Sequence, residues 1–215
     1  MPKAVLFDVD GTLVTFKFDA MGARAALIRE VADAGFDPTG MDTSMPTTRI
    51  LDAASALAGP RFGELRARLY EVLDRFEEES SRDAVVLEGV RETLDLLKAR
   101  SVRLGVYTNS GRKAAFAVLE RGSLLPYFEL VQTREDVEVM KPHPSGILRA
   151  LARFSLPRED LCYVGDAPLD IAAARAAGVK VVSVATGVHT PDRLREEGAE
   201  TVIMSLAGLP SALGL

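Results

Sequence analysis

Cysteine occurs once in the 215 residues, at Cys162, so no disulfide can form within the chain and nothing points to an oxidising compartment. The thiol sits in the apolar run Leu161-Cys162-Tyr163-Val164 and reads as a small buried hydrophobe, not a nucleophile. No apolar stretch is long enough to cross a bilayer. The N-terminal apolar run is short and meets Asp8 at once, which predicts no signal peptide. An excess of positive charge is also missing. Lys and Arg number 26 against 31 Asp and Glu, for a net charge of -5 and a pI near 5.2. That removes the cationic footprint that non-specific nucleic-acid binding requires, but a small anionic ligand stays compatible because local charge can oppose the net sign. Repeats and low-complexity segments are absent. Of the two histidines, His143 reads as a loop or helix-cap residue and His189 as a loop residue that could line an entrance. The expectation is a cytoplasmic protein with no membrane or nucleic-acid partner. Its hydrophobic content of 47% suffices for a substantial core and argues against disorder.

What is present begins at the first strand. Ala4-Val5-Leu6-Phe7 is an apolar run of the buried parallel type, and it stops on Asp8-Val9-Asp10-Gly11-Thr12. Alternate strand residues point the same way, so Asp8 and Asp10 are neighbours. Two close carboxylates repel unless a cation sits between them, and Mg²⁺ suits hard oxygen ligands with room left for phosphate and water. Gly11 permits a sharp turn and close backbone approach to a ligand.

From about Val14 to Asp83 the pattern is helical without strands. Met21 to Ala34 ends at Gly35, Thr47 to Ala58 ends at Gly59-Pro60, and Phe62, Leu65, Leu69, Val72, Leu73 and Phe76 share one helix face before a polar exit over residues 77–83. Beyond Val85, helices and strands alternate. Strands are expected at 102–107, 128–132, 161–164, 179–184 and, as the final edge, 201–204. Helices are expected at 88–100, 112–121 (capped by Ser110), 144–154, 171–177 and 191–197. Alternation of this kind implies a parallel sheet with helices on both faces. The expected fold is α/β: a three-layer, Rossmann-like core of residues 1–14 and 85–215, with a helical domain of residues 15–84 inserted after the first strand. Ligands in such sheets bind beyond the carboxyl ends of the strands. Asp8, Asp10, Thr108, Asn109, Lys141, Asp166 and Asp170 all fall at or just past such ends. Carboxylates, one lysine, a hydroxyl and turn amides suit a magnesium-bound phosphate monoester, because phosphoryl transfer is mostly a problem of positioning and charge.

Four elements recur in order: Asp8-x-Asp10-Gly11-Thr12, Thr108-Asn109, Lys141-Pro142 and Gly165-Asp166-Ala167-Pro168-Leu169-Asp170. Together they resemble the haloacid dehalogenase-like hydrolase superfamily, through the core from Pro2 to Leu13 and Val85 to Leu209. The resemblance implies roles. Asp8 is the nucleophile and a metal ligand. Asp10 is the general acid/base, with its backbone carbonyl on the metal. Thr108 and the Asn109 amide bind phosphate, and Lys141 binds phosphate and steadies the nucleophile. Asp166 is a metal ligand, and Asp170 is a ligand or lies one shell out. It also implies Mg²⁺ as cofactor and a cap role for the helical insert.

The second acid, Asp10, favours phosphate esters over carbon–halogen cleavage, since a leaving alkoxide needs a proton. Gly89 to Leu94, Tyr107 to Ser110, Ala172 to Gly178 and Gly198 to Glu200 look most like the phosphoglycolate phosphatase branch. The expected activity is Mg²⁺-dependent hydrolysis of a small phosphorylated metabolite, 2-phosphoglycolate-like or a sugar phosphate, through an aspartyl-phosphate on Asp8. The alternatives are a phosphomutase, a non-catalytic phosphometabolite-binding module and a dehalogenase. In the insert, Arg49 could meet a substrate carboxylate or distal phosphate with a two-pronged contact, against the plainer reading of an exposed helix arginine. Lys17 and Arg24 are weaker candidates. A monomer or homodimer is expected.

Overall fold

A computed structural model describes residues 1–15 and 17–215, which form two compact units. One comprises residues 1–15 with 84–215, the other residues 17–83.

The larger unit is built on a six-stranded parallel sheet. Its strands are β1 (Ala4–Phe7), β4 (Arg103–Tyr107), β5 (Leu130–Gln132), β6 (Leu161–Gly165), β7 (Lys180–Val184) and β8 (Val202–Ile203), in the order β5-β4-β1-β6-β7-β8. Between β1 and β4 in the chain come β2 (Val14–Thr15) and β3 (Val85–Val86), which pair antiparallel as a separate ribbon. Its first strand, β2, corrects the expectation of no strands between Val14 and Asp83. Two residues per strand are too few for an alternation pattern to register. The expected final edge strand is present as β8.

Strand alternation sorts the core onto two faces. Val5, Phe7, Leu104, Val106, Cys162, Val164, Val182 and Val184 pack with α4 (Val90–Ala99), α5 (Arg112–Arg121) and α9 (Leu209–Leu213). Ala4, Leu6, Tyr107, Tyr163 and Val181 pack with α6 (Ser145–Phe154), α7 (Pro168–Ala177) and Leu194 of α8 (Pro191–Glu196). Helices on both faces of a parallel sheet make the three-layer α/β architecture. The chain moves outward from β1 through β4 to β5, then returns to β1's other side at β6. That reversal opens a crevice beyond the carboxyl ends of β1, β4 and β6.

One expected cap differs. Ser110 does not cap α5; Gly111 occupies the cap position without a side-chain bond. The first amide of the helix, Arg112 N, donates instead to Glu135 Oε2 at 3.1 Å. A carboxylate serves as well as a hydroxyl at this end of the helix dipole.

The smaller unit is three helices, α1 (Ala20–Asp33), α2 (Thr47–Ala58) and α3 (Phe62–Ser80). Asp19 caps α1 by accepting from Gly22 N at 2.9 Å. The buried stripes are Ala23, Leu27 and Val31 of α1, Ile50, Leu51, Ala54 and Ala58 of α2, and Leu65, Leu69, Val72 and Leu73 of α3. Helical spacing places each set on one side of its helix. The expected polar exit is partly a correction: α3 continues to Ser80, and Glu77 is buried. A polar sequence with no breaker does not stop a helix.

Candidate active site

β1 ends where the ladder lets Asp8 continue it: Asp8 N donates to Val164 O at 2.9 Å. By parity the Asp8 side chain follows Ala4 and Leu6 onto the face that carries Tyr107 and Tyr163. The turn then folds back, with Leu13 N bonded to Val9 O at 2.8 Å and Gly11 N to Val14 O at 2.8 Å. Gly11 has φ +74°, and a Cβ there would overlap the Asp166 carboxylate. Both the turn and the close approach therefore require glycine.

Lys141 is the hub. Its ammonium, 1% exposed, donates to Asp8 Oδ1 at 2.8 Å, Asp170 Oδ1 at 2.7 Å and the Tyr163 hydroxyl at 2.9 Å. Its backbone is gripped from both sides by the Asn109 side chain: Lys141 N donates to Asn109 Oδ1 at 3.0 Å, and Asn109 Nδ2 donates to Lys141 O at 3.0 Å. Thr108, at the carboxyl end of β4, is buried, and its Oγ1 accepts from Ser110 N at 3.1 Å. The family resemblance implies a phosphate contact for the Asn109 amide; the structure shows its side chain anchoring the lysine's backbone. His143 lies in the loop before α6, one of its two expected places, and accepts from Ser145 N at 3.3 Å through Nδ1.

β6 delivers the other acids. Asp166 follows its last residue, and Thr12 Oγ1 donates to Asp166 Oδ1 at 3.4 Å. Asp170 lies in the first turn of α7 and is fully buried. Its Oδ1 accepts from Lys141 and lies 3.1 Å from the Tyr163 hydroxyl, while its Oδ2 accepts from Ala167 N at 3.0 Å. The acid thus starts its helix and also holds the lysine.

Asp8, Asp166 and Asp170 each offer a carboxylate oxygen within 4.8 Å of the others. Burial pushes the Asp8 carboxyl up, Lys141 opposes this and Asp170 adds to it, leaving Asp8 at about 6. Burial, then repulsion from Asp170, Asp8 and Asp10, pushes Asp166 up to about 9. Burial disfavours the charged form of Lys141, yet the carboxylates of Asp170 and Asp8 outweigh it and hold the ammonium above its ordinary value. One buried lysine therefore does not neutralise the acids. Carboxyls that burial and mutual repulsion bias toward holding protons, on hard oxygen donors, fit a divalent cation that would take the protons' place. Asp8 and Asp166 have oxygens to give it, whereas both Asp170 oxygens already serve protein donors.

Of the residues singled out in the sequence, Asp8, Lys141, Asp166 and Asp170 meet directly. Asn109 secures Lys141, Thr108 stands at the end of the neighbouring strand, and Gly11 and Asp10 form the turn that packs on Asp166. Arg49 is exposed in the first turn of α2, in the smaller unit. Sequence reading missed Tyr163, Thr186 and Gly187. Thr186 Oγ1 donates to Gly11 O at 2.5 Å, and a Cβ at Gly187 would overlap Asp166 Oδ2. The loop after β7 thereby walls in the Asp166 carboxylate. Thr186-Gly187 reads only as a turn in sequence, whereas Tyr163 could have been found by counting two residues back along β6 from Gly165.

Comparison with known proteins agrees with this geometry. The family model described as haloacid dehalogenase-like hydrolase matches residues 5–184. The phosphoglycolate phosphatase of Rhodospirillum rubrum is 30% identical, with 100% of this chain and 92% of the relative covered. PpaX of Caldanaerobacter subterraneus subsp. tengcongensis, provisionally named a pyrophosphatase, is 31% identical over 90% of this chain and 86% of its own length. A crystal structure of a HAD-superfamily hydrolase, subfamily IA, variant 1, from Geobacter sulfurreducens PCA superposes with a TM-score of 0.61 at 26% identity, covering 99% of this chain and 97% of that one. The chain belongs to the haloacid dehalogenase-like hydrolases. Within that family, its phosphoglycolate phosphatase relatives make it a phosphoric monoester hydrolase.

Proposed function

We propose that the protein is a Mg²⁺-dependent phosphatase of small phosphorylated metabolites, acting through an aspartyl-phosphate on Asp8, with 2-phosphoglycolate or a similar phosphorylated carboxylate as its substrate. The observation that carries this reading is the buried Lys141 ammonium between Asp8 and Asp170, with Asp166 alongside.

The residues divide the work as follows. Asp8, Asp166 and the backbone carbonyl of Asp10 would hold Mg²⁺, which when bound supplies the positive charge that lets a phosphate dianion approach the carboxylates. Lys141 orients Asp8 and adds positive charge beside the phosphoryl oxygens, with Thr108 and the Asn109 amide as further donors. An Asp8 oxygen attacks phosphorus, the bond from phosphorus to the ester oxygen breaks, and the Asp10 carboxyl gives its proton to the leaving alkoxide. Asp10 then takes a proton from water as that water attacks phosphorus. The bond to Asp8 breaks, and inorganic phosphate leaves. Asp170 acts one shell out, through Lys141. The helical insert, residues 17–83, stands in the chain where the family resemblance implies a cap.

The names of the relatives support phosphoglycolate, and the likeness to PpaX puts pyrophosphate on the same test panel. The experiment is phosphate release from 2-phosphoglycolate, sugar phosphates, nucleoside monophosphates, pyrophosphate and a nitrophenyl ester, with and without Mg²⁺, beside Asp8→Asn. Mg²⁺-dependent release, greatest on 2-phosphoglycolate and lost in Asp8→Asn, is expected. Substantial turnover by Asp8→Asn would overturn the nucleophile. Transfer of the phosphoryl group to a sugar hydroxyl in place of water would make the enzyme a mutase.

A further inference from the structure

An ammonium has three N–H donors, and all three of Lys141 are committed. Two go to carboxylates, and the third goes to the hydroxyl of Tyr163, a residue in the middle of β6 that is itself fully buried. The hydroxyl has one proton of its own. It faces two acceptors, Tyr107 O at 3.0 Å and Asp170 Oδ1 at 3.1 Å. Tyr163 Oη is therefore tied to the carboxyl end of β4, to the first turn of α7 and to the lysine, and links the three elements that meet beneath Asp8. The aromatic faces continue the enclosure. Lys141 Nζ lies 5.4 Å from the Tyr107 ring centre and 5.6 Å from that of Tyr163, within reach of cation–π attraction. The Tyr107 ring is seated against Gly146 of α6, where a Cβ would overlap it.

We propose that Tyr163 is a positioning residue for phosphoryl transfer, its hydroxyl holding the Lys141 ammonium from beneath so that the amine stays aimed at Asp8. The inference rests on the reading of Lys141 as the cation of the active site. With Asp170 and Tyr163 fixed by the fold, the bond to Asp8 is the one left to adjust when phosphate enters. Removing the hydroxyl frees the ammonium to turn toward Asp170 and away from the nucleophile.

The test pairs Tyr163→Phe with Cys162→Ala, a change in the same strand that points to the opposite face and does not touch Lys141. Two signals are read: steady-state kinetics, and the ¹⁵N–¹H resonance of the Lys141 side chain, assigned by its loss in Lys141→Met. The expected result for Tyr163→Phe is a kcat lowered roughly 10- to 100-fold, as for supporting residues one shell out. KM should stay within about twofold, since the loss falls on the transition state. The Lys141 resonance should be shifted or exchange-broadened. Cys162→Ala should keep both signals of the parent protein, even where it lowers the melting temperature as much. A wild-type kcat with an unchanged resonance in Tyr163→Phe overturns the proposal, and so does a reduced kcat with an unchanged resonance, because the effect then does not pass through Lys141. If the parent protein releases no phosphate from any ester, the proposed function fails separately. The resonance still decides whether Tyr163 holds the ammonium.

Discussion

The two faces of the parallel sheet come from the same strands and both bury apolar side chains, but only one adds polar strand residues to them. Toward α4, α5 and α9 the strands present Val, Phe, Leu and Cys162. Toward α6 and α7, register and alternation bring Tyr107, Gln132, Tyr163 and Ser183, and at the carboxyl ends Asp8, with Lys141 and Asp170 from the covering segments. One face supplies burial of apolar area, which needs no particular geometry. The other holds, beside its apolar core, a polar cluster in which Lys141, Asp8, Asp170 and Tyr163 satisfy one another. Substitutions on the first face should cost stability alone, and substitutions on the second should cost activity first.

The sharpest way to break that contrast is Lys141→Met, which keeps the bulk of the side chain and removes its charge. Stripping one partner from a buried ion pair costs about 3–5 kcal/mol, read by urea unfolding of the metal-free protein. Loss of a donor aimed at developing charge should cut kcat about 10²- to 10³-fold. A variant that retains near-normal turnover would show that Lys141 is structural only. Next in size is Gly187→Ala. The added methyl displaces the Asp166 carboxylate, so the Mg²⁺ concentration for half-maximal activity should rise roughly 10- to 100-fold while the fold persists by circular dichroism.

The acid cluster sharpens the contrast through pH. Asp8 at about 6 and Asp166 at about 9 lie above the ordinary 3.8, so between pH 4 and 9 the folded chain binds more protons than the unfolded one. Stability of the metal-free protein then falls as pH rises through that window. A divalent cation replaces those protons, so the gain in melting temperature on adding Mg²⁺ should be larger at pH 9 than at pH 6. An equal gain at both would mean the cation does not bind among these acids. The smallest effect belongs to the apolar face. Cys162→Ala should cost about 1 kcal/mol and leave kcat unchanged, and the thiol, pushed up to about 12 by burial, should resist thiol reagents at pH 8 until the protein unfolds.

Much of this was legible in the sequence. Asp8 announces itself because a charged residue at the end of an apolar run is costly without a task, and Lys141, Asp166 and Asp170 stand out through the motifs that resemble the family. The alternation beyond Val85 gave the three layers because helix and strand periods differ. What stayed hidden depends on distance in space. Tyr163 reads as one more apolar strand residue until Lys141, 22 positions away, is found at its hydroxyl. Gly187 reads as a turn until Asp166 is placed against it. The ribbon of Val14–Thr15 with Val85–Val86 joins four residues across the whole helical insert, a pairing that no local window contains. Asp170 carried two readings in sequence, metal ligand or one shell out; its oxygens, both engaged by protein donors, favour the second.

The central claim is that Asp8 is the atom donor to phosphorus. The direct measurement is acid quenching of the enzyme during turnover of its best phosphate ester with Mg²⁺, followed by peptide mass spectrometry. The account predicts one acid-stable, base-labile phosphoryl group on the peptide that carries Asp8, located on that residue by fragmentation and absent from Asp8→Asn. Phosphate released at full rate with no phosphoryl group on Asp8 at any quench time, or with the group on another residue, would contradict it.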